Sequence, residues 1–159
     1  MKDNRSSQGD SWLDGFVPYQ LYRITNRLNQ RLRERLRQLP ISVSRWRVLG
    51  VLRAQGTLTI NAIAEAAAME QPTVSRTVTR LVRDGLVSRR AAKRDSRYME
   101  VSLTAAGQSA FDTIYPIAEE HQTAALRGFN ERELATLHDY LQRIQRNIAD
   151  DTDLRATGN

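Results

Sequence analysis

The chain has 159 residues, 40% of them hydrophobic and 26% charged, with no cysteine and a formal net charge of +6. That length and apolar share suit a single domain with its own core, and the lack of cysteine excludes disulfides, thiol redox sensing, cysteine nucleophiles and thiolate zinc sites. No apolar run approaches the length needed to span a bilayer, and the polar start MKDNRSSQGD has no signal-peptide core, so a soluble, cytoplasmic protein is expected.

The charge is concentrated. Residues 71–97 hold eight basic side chains against Asp84 and Asp95, a local excess equal to that of the whole chain, and residues 23–37 hold six arginines against Glu34 alone. The remainder is acidic. Clustering of this kind is the footprint of a phosphate-bearing partner, because each neutralised phosphate releases condensed counterions. An anionic membrane is the competing partner, and it requires a large exposed apolar helix face.

In chain order, the spacing predicts one long helix from Trp12 to Leu39, with Phe16, Tyr19, Tyr22, Arg23, Asn26, Leu28, Leu32 and Leu36 at three- and four-residue intervals and Pro40 ending it. A second helix starts near Ser42, turns Trp46, Leu49 and Leu52 toward a core and stops at Gly56. A short third helix starts at the N-cap Thr59 with Ile60, Ile63, Ala64 and Ala67 on one face, and Met69 and Glu70 break it.

The fourth helix, QPTVSRTVTRLVRDG, opens on Pro72 and closes on Gly85. Val74, Val78 and Leu81 must face inward, so the outer face carries Thr73, Arg76, Thr79, Arg80 and Arg83 with Ser75 on the flank, and no carboxylate precedes Asp84. A plain solvated helix face ordinarily mixes its charges. LVSRRAA and YMEVSLT then alternate at period two, which makes the charged stretch between them the tip of a hairpin. Two short helices, the second basic and polar outside, followed by a basic hairpin, read as a helix-turn-helix plus wing. That arrangement suits a major groove that admits a helix and a minor groove that attracts arginine.

Leu58–Gly107, and above all VSRTVTRLVRDGLVSRRAAKRDSRYMEVSLTAAG, resembles the MarR (multiple-antibiotic-resistance regulator) family, whose wing reads Asp-any-Arg and is followed by Leu-Thr-any-any-Gly; Asp95, Arg97, Leu103, Thr104 and Gly107 match in order and spacing. The resemblance implies a mainly α fold, a winged helix-turn-helix with a small β-hairpin wing flanked by N- and C-terminal dimerisation helices. It implies one domain over 1–159, with 10–40 and 104–150 as dimerisation helices and 42–103 as the DNA-binding lobe, while the polar composition of 151–159 reads as a disordered tail. It further implies a homodimeric regulator, most often a repressor, that binds a palindromic operator in double-stranded DNA and leaves it when a small anionic aromatic effector binds. A ligand-independent architectural or anti-silencing factor is the alternative.

On that reading Arg97 enters the minor groove and Asp95 holds the basic residues of the loop. By its chemistry Arg76 suits a bidentate base contact, while Thr73 and Ser75 suit thymine methyls or phosphates, and Thr79 counts with them among the DNA-binding residues. Arg80, Arg83, Arg89, Arg90 and Arg94 suit phosphates. Thr104 reads as the N-cap of the next helix. The family's effectors lodge between dimer helices and DNA-binding lobe, where the matching positions are Tyr19, Tyr22, Arg23, Asn26, Arg45, Trp46 and Tyr115; aromatic walls with an arginine suit an aromatic carboxylate, and a plain core or interface role suits the same residues.

Thr104 to Asp150 reads as two helices broken near Gly128 and Asn130, with Pro116 kinking the first. Phe111, Ile114, Tyr115 and Ala118 form one apolar stripe, and Leu134, Leu137, Leu141, Ile144 and Ile148 another, with nothing in sequence to cover them, so pairing with a second chain is expected. His121 and His138, the only histidines, lie in these helices, and neither a phosphate-cradling glycine loop, a nucleophile elbow nor compact metal-ligand spacing occurs. The chain is therefore not expected to be an enzyme, and neither cofactor nor metal is expected.

Overall fold

Proline and glycine divide the helical pattern more finely than apolar spacing alone suggests. A computed structural model describes residues 11–91 and 99–156. The predicted helix over 12–39 is two: α1 (Ser11–Gly15) and α2 (Val17–Arg35), with Phe16 in an extended conformation between them and Pro18 in the first turn of α2. Proline removes a backbone donor and clashes with the preceding turn, so it starts a helix where the periodicity would have run through. α2 ends at Arg35, and Pro40 lies in the following loop.

α3 (Val43–Gln55) is capped by Ser42, whose hydroxyl accepts from the Arg45 amide, and closes at Gly56. Two residues that were not foreseen as a strand, Leu58–Thr59, form β1 before Thr59 caps α4 (Ile60–Ala66). The chain turns through Ala68, at φ +49°, into α5 (Gln71–Arg83), in which Pro72 is the second residue and not the first. β2 (Val87–Ala91) and β3 (Met99–Leu103) pair antiparallel from Val87 against Leu103 to Ala91 against Met99. β1 adds to the other edge of β3, Leu58 opposite Val101, so the hairpin belongs to a three-stranded sheet of order β1-β3-β2.

The core beneath α5 is built from Val48, Leu49 and Leu52 of α3, Ile63 and Ala64 of α4, Val74, Val78 and Leu81 of α5, and Val87 and Val101 of the sheet. These are the inward positions read from the spacing of α5. Trp46 is half-buried, packs against a second cluster of Leu32, Leu36 and Ile114, and stacks on Phe111 with ring centroids 5.0 Å apart.

α6 (Ala105–Ala125) passes through Pro116 as one helix. Its expected uncovered stripe is partly covered within the chain: Ile114 is 3% exposed in the second cluster with Leu32 of α2 and Leu36, which caps its C-terminal end. The start of α6 is clamped to the end of α5. The Thr104 hydroxyl accepts from the Gly107 amide at 3.0 Å and donates to the Gly85 carbonyl at 2.6 Å, while the Thr104 amide donates to the Leu86 carbonyl at 3.1 Å. Gly107 is buried so close to the turn after α5 that a Cβ on it would stand 1.9 Å from the Leu86 carbonyl oxygen.

The chain divides into two compact units, through Gln122 and from Thr123. The second contains α7 (Glu131–Ala156), introduced by Gly128 at φ +92° and by a reciprocal capping box in which Asn130 Oδ1 accepts from the Glu133 amide and Glu133 Oε2 from the Asn130 amide. The predicted break near Gly128 and Asn130 is therefore present, but the tail expected from residue 151 is helical to Ala156, because nothing from Glu131 to Ala156 removes an amide donor or favours a left-handed turn.

Candidate nucleic-acid interface

α4 and α5 form the helix-turn-helix, and α5 is sharply two-sided. Val74, Thr77, Val78 and Leu81 are buried, and the Thr77 hydroxyl is satisfied by the Thr73 carbonyl at 2.8 Å. At 3.6 residues per turn, the guanidiniums of Arg76, Arg80 and Arg83 fall within an arc of roughly 60° on the opposite side. Thr79 lies beside them, all four are exposed, and Thr73 and Ser75 are half-buried on the flanks. The structure thus gathers six predicted α5 contacts on one face. Two hydroxyl relations turn inward: Thr79 donates to the Ser75 carbonyl at 2.9 Å, and Arg76 Nη2 reaches Thr73 Oγ1 at 3.3 Å.

Arg90 is exposed on β2 opposite Glu100, whereas Arg89, opposite Val101, is half-buried. Ser88 and Ser102 pair across the strands through their hydroxyls at 3.0 Å. The wing residues Arg94, Asp95 and Arg97 lie outside the described residues.

Asp84, which in sequence only closes the basic run, is the junction between α5 and α3. Its Oδ2 accepts from Arg45 Nη2 at 2.6 Å and its Oδ1 from Arg83 Nε at 3.1 Å. The hydrogen bond from Arg83, opposed by partial burial and reinforced by the positive charge of Arg45, holds the carboxyl below its ordinary value. The signal was present: one acid beside an arginine at a helix end, in an otherwise basic window.

The seven residues expected around an effector fall in separate places within the chain, with Tyr19 stacked on Tyr22 at 6.4 Å between ring centroids. Arg45 points inward and lines a cavity of about 380 Å³ whose other walls are Leu39, Pro40, Ile41, Asp84, Leu86, Ala110, Thr113 and Ile114. Tyr19 and Arg23 line a different, polar hollow with Leu13 and Asp14, where Arg23 pairs with Asp14 at 3.6 Å and lies over the Tyr19 ring. Trp46 and Tyr115 flank Phe111 in an aromatic row. Tyr22 is 64% exposed, and Asn26 is exposed as well.

Comparison with known proteins places these features in one group. The model of the MarR family matches residues 39–97. A crystal structure of a MarR family transcriptional regulator from Silicibacter pomeroyi is 32% identical, covers 86% of this chain and 92% of that one, and gives a TM-score of 0.78. A second, from the same organism, reaches a TM-score of 0.80 at 29% identity over 92% of this chain and 99% of that chain. The HTH-type transcriptional repressor IacR of Pseudomonas putida is 27% identical across 85% of this chain and 81% of its own length.

Proposed function

We infer, from the premise that this chain belongs to the MarR family of DNA-binding transcription regulators and is not an enzyme, that it is a repressor acting as a homodimer on a palindromic operator and released by a small anionic aromatic ligand. The observation that carries the DNA-binding part is the outer face of α5: three guanidiniums and flanking hydroxyls with no carboxylate among them, backed by a rigid apolar face. Arg76 is assigned to a base edge and Arg80 and Arg83 to phosphates, with Thr73, Ser75 and Thr79 beside them. Arg94, Asp95 and Arg97 are assigned to the wing contact. Repression is supported by the likeness to IacR, which is named a repressor.

The dimer is supported by apolar side chains exposed on two terminal regions: Trp12, Phe16 and Tyr22 in one, Tyr140, Leu141 and Ile148 in the other. They belong to the segments 10–40 and 104–150, to which dimerisation is assigned, with 42–103 as the DNA-binding lobe. Among the described residues no helix is long and apolar enough to cross a membrane.

The effector reading is supported by the apolar cavity at Arg45. Its volume lies within the range of about 300–1,000 Å³ usual for small-molecule sites, and a carboxylate entering it reaches the Arg45 guanidinium only by displacing Asp84 and the Pro40 carbonyl from it. Fluorescence anisotropy tests all of this. The wild-type protein is used to enrich a duplex from a random pool, and its binding to that duplex and to a scrambled one is followed at two salt concentrations with a panel of substituted benzoates. Tight, selective binding to a near-palindrome, abolished by one benzoate, is the expected result; equal, salt-erased affinity for both duplexes would overturn sequence recognition, and indifference to every benzoate would overturn release by this ligand class.

A further inference from the structure

The turn after α5, Asp84–Leu86, is where three elements meet. On one side Arg45, in the first turn of α3, gives Nη2 to Asp84 and Nη1 to the Pro40 carbonyl at 3.0 Å. On the other, Thr104 ties Gly85 and Leu86 to the start of α6. The exposures of the first set are graded: the Arg45 side chain is 16% exposed, Asp84 30% and Arg83 75%. An ion pair between two fully solvated side chains contributes little. This one is short and mostly enclosed, and it joins residues 39 positions apart in sequence.

The physical role of such a pair follows from what the core of α5 does not supply. Val74, Val78 and Leu81 hold the helix against α3 and α4 through apolar contact, which is non-directional: burial of the stripe opposes separation and rotation, and opposes sliding along the helix axis less. At the N-terminal end, Glu70 occupies the cap without a side-chain cap hydrogen bond. Directional bonds from other elements are concentrated at the C-terminal end, on Asp84, Gly85 and Leu86. Asp84 also holds the Arg83 guanidinium by its Nε, leaving the terminal nitrogens of that side chain to point elsewhere.

We propose that Arg45 and Asp84 are positioning residues for operator recognition: their pair sets the axial position of α5 and the aim of Arg83, without either residue reading a base. The proposal rests on α5 being the base-reading helix. It makes Asp84, an anion beside a DNA-binding face, a residue that helps DNA binding.

Asp84→Asn separates this from ordinary electrostatics, because the two predict opposite signs. Loss of a negative charge near DNA raises affinity for any duplex; loss of the clamp lowers affinity for the enriched duplex by about 2- to 30-fold while scrambled DNA is bound as well as before or better. The Thr104 tether and the apolar core remain in this variant. Arg45→Lys, which keeps the charge and loses the fork, is the second variant and should show the same selective loss. Equal or tighter binding of the enriched duplex by Asp84→Asn overturns the proposal, and so does an equal fractional loss on both duplexes, which signals general unfolding. Enrichment of no sequence by the wild-type protein would instead tell against base reading by α5. Amide hydrogen exchange then judges the clamp: faster exchange at residues 84–86 in Asp84→Asn sustains it, and unchanged exchange overturns it.

Discussion

Adding one methyl group at Gly107 tests the joint between the DNA-binding lobe and α6. Gly107 is the third helical residue of α6, and the Cβ of an alanine there would stand 1.9 Å from the Leu86 carbonyl oxygen and 2.9 Å from its carbon. Real Cβ contacts essentially never fall under 3.0 Å, so the Leu86 turn and α6 must part by about 1 Å or more. The oxygen that has to move is the acceptor of the Thr104 amide, and Thr104 in turn caps the Gly107 amide. Because the obstacle is backbone, the overpacking cost belongs at the upper end of the usual range, about 3 kcal/mol. A weakened cap hydrogen bond adds about 1 kcal/mol. Alanine is a better helix former than glycine by about 1 kcal/mol, which leaves a net loss of about 3 kcal/mol. For a chain of this size that lowers Tm by roughly 6–12 °C, measured by circular dichroism at one fixed protein concentration, since a dimer's Tm depends on concentration. If Gly107→Ala melts at or above the wild-type temperature, as helix propensity alone requires, the close approach of Leu86 to α6 is wrong.

Three further outcomes follow from the same structure. Arg76→Ala should reduce discrimination between the enriched and a singly altered duplex by about 1–3 kcal/mol, whereas Arg80→Ala should weaken all sequences alike and lower the salt slope by about one, both read by anisotropy; identical behaviour would refute the division of roles. His121 is held below its ordinary value by burial and by Arg35, with Arg31 adding to this and its hydrogen bond to the Leu28 backbone opposing it. The unfolded chain therefore binds this proton more readily, so stability is undiminished above the unfolded pKa and falls as pH drops through about 6.5 toward the lower folded value. The wild-type Tm should consequently decline more between pH 7 and 5 than that of His121→Gln, and parallel curves would refute the assignment. Leu137→Glu together with Leu141→Glu on α7 should shift sedimentation at micromolar concentration from dimer to monomer; an unchanged dimer would place the interface elsewhere.

Much of the DNA-binding lobe was legible before any coordinates. Val74, Val78 and Leu81 recur at helical spacing, and burial of that stripe puts Arg76, Arg80 and Arg83 on the outer face. Ser42, Thr59 and Thr104 were readable as caps because a hydroxyl before an apolar-periodic run satisfies amides that the helix itself cannot. The N-terminal break was less legible, since the apolar spacing of 12–39 continues across Phe16 and only Pro18 marks the interruption. β1 escaped notice because two residues are too few to show a period.

The effector residues show where local reading stops. Tyr19, Arg23, Arg45, Trp46 and Tyr115 were grouped by type and by family position, yet their side chains divide among a polar hollow, an apolar cavity and an aromatic row. Sequence by itself determined the helix-turn-helix, its basic face, the hairpin and the helix caps, all of which depend on interactions within a few residues or on a single periodicity. Only the tertiary structure decided that Arg45 meets Asp84 across 39 residues, that Gly107 lies against Leu86, and that Ile114 is covered by Leu32 and Leu36. Those contacts depend on the distance and angle between packed elements, which apolar periodicity leaves free and which close packing and directional hydrogen bonds then fix.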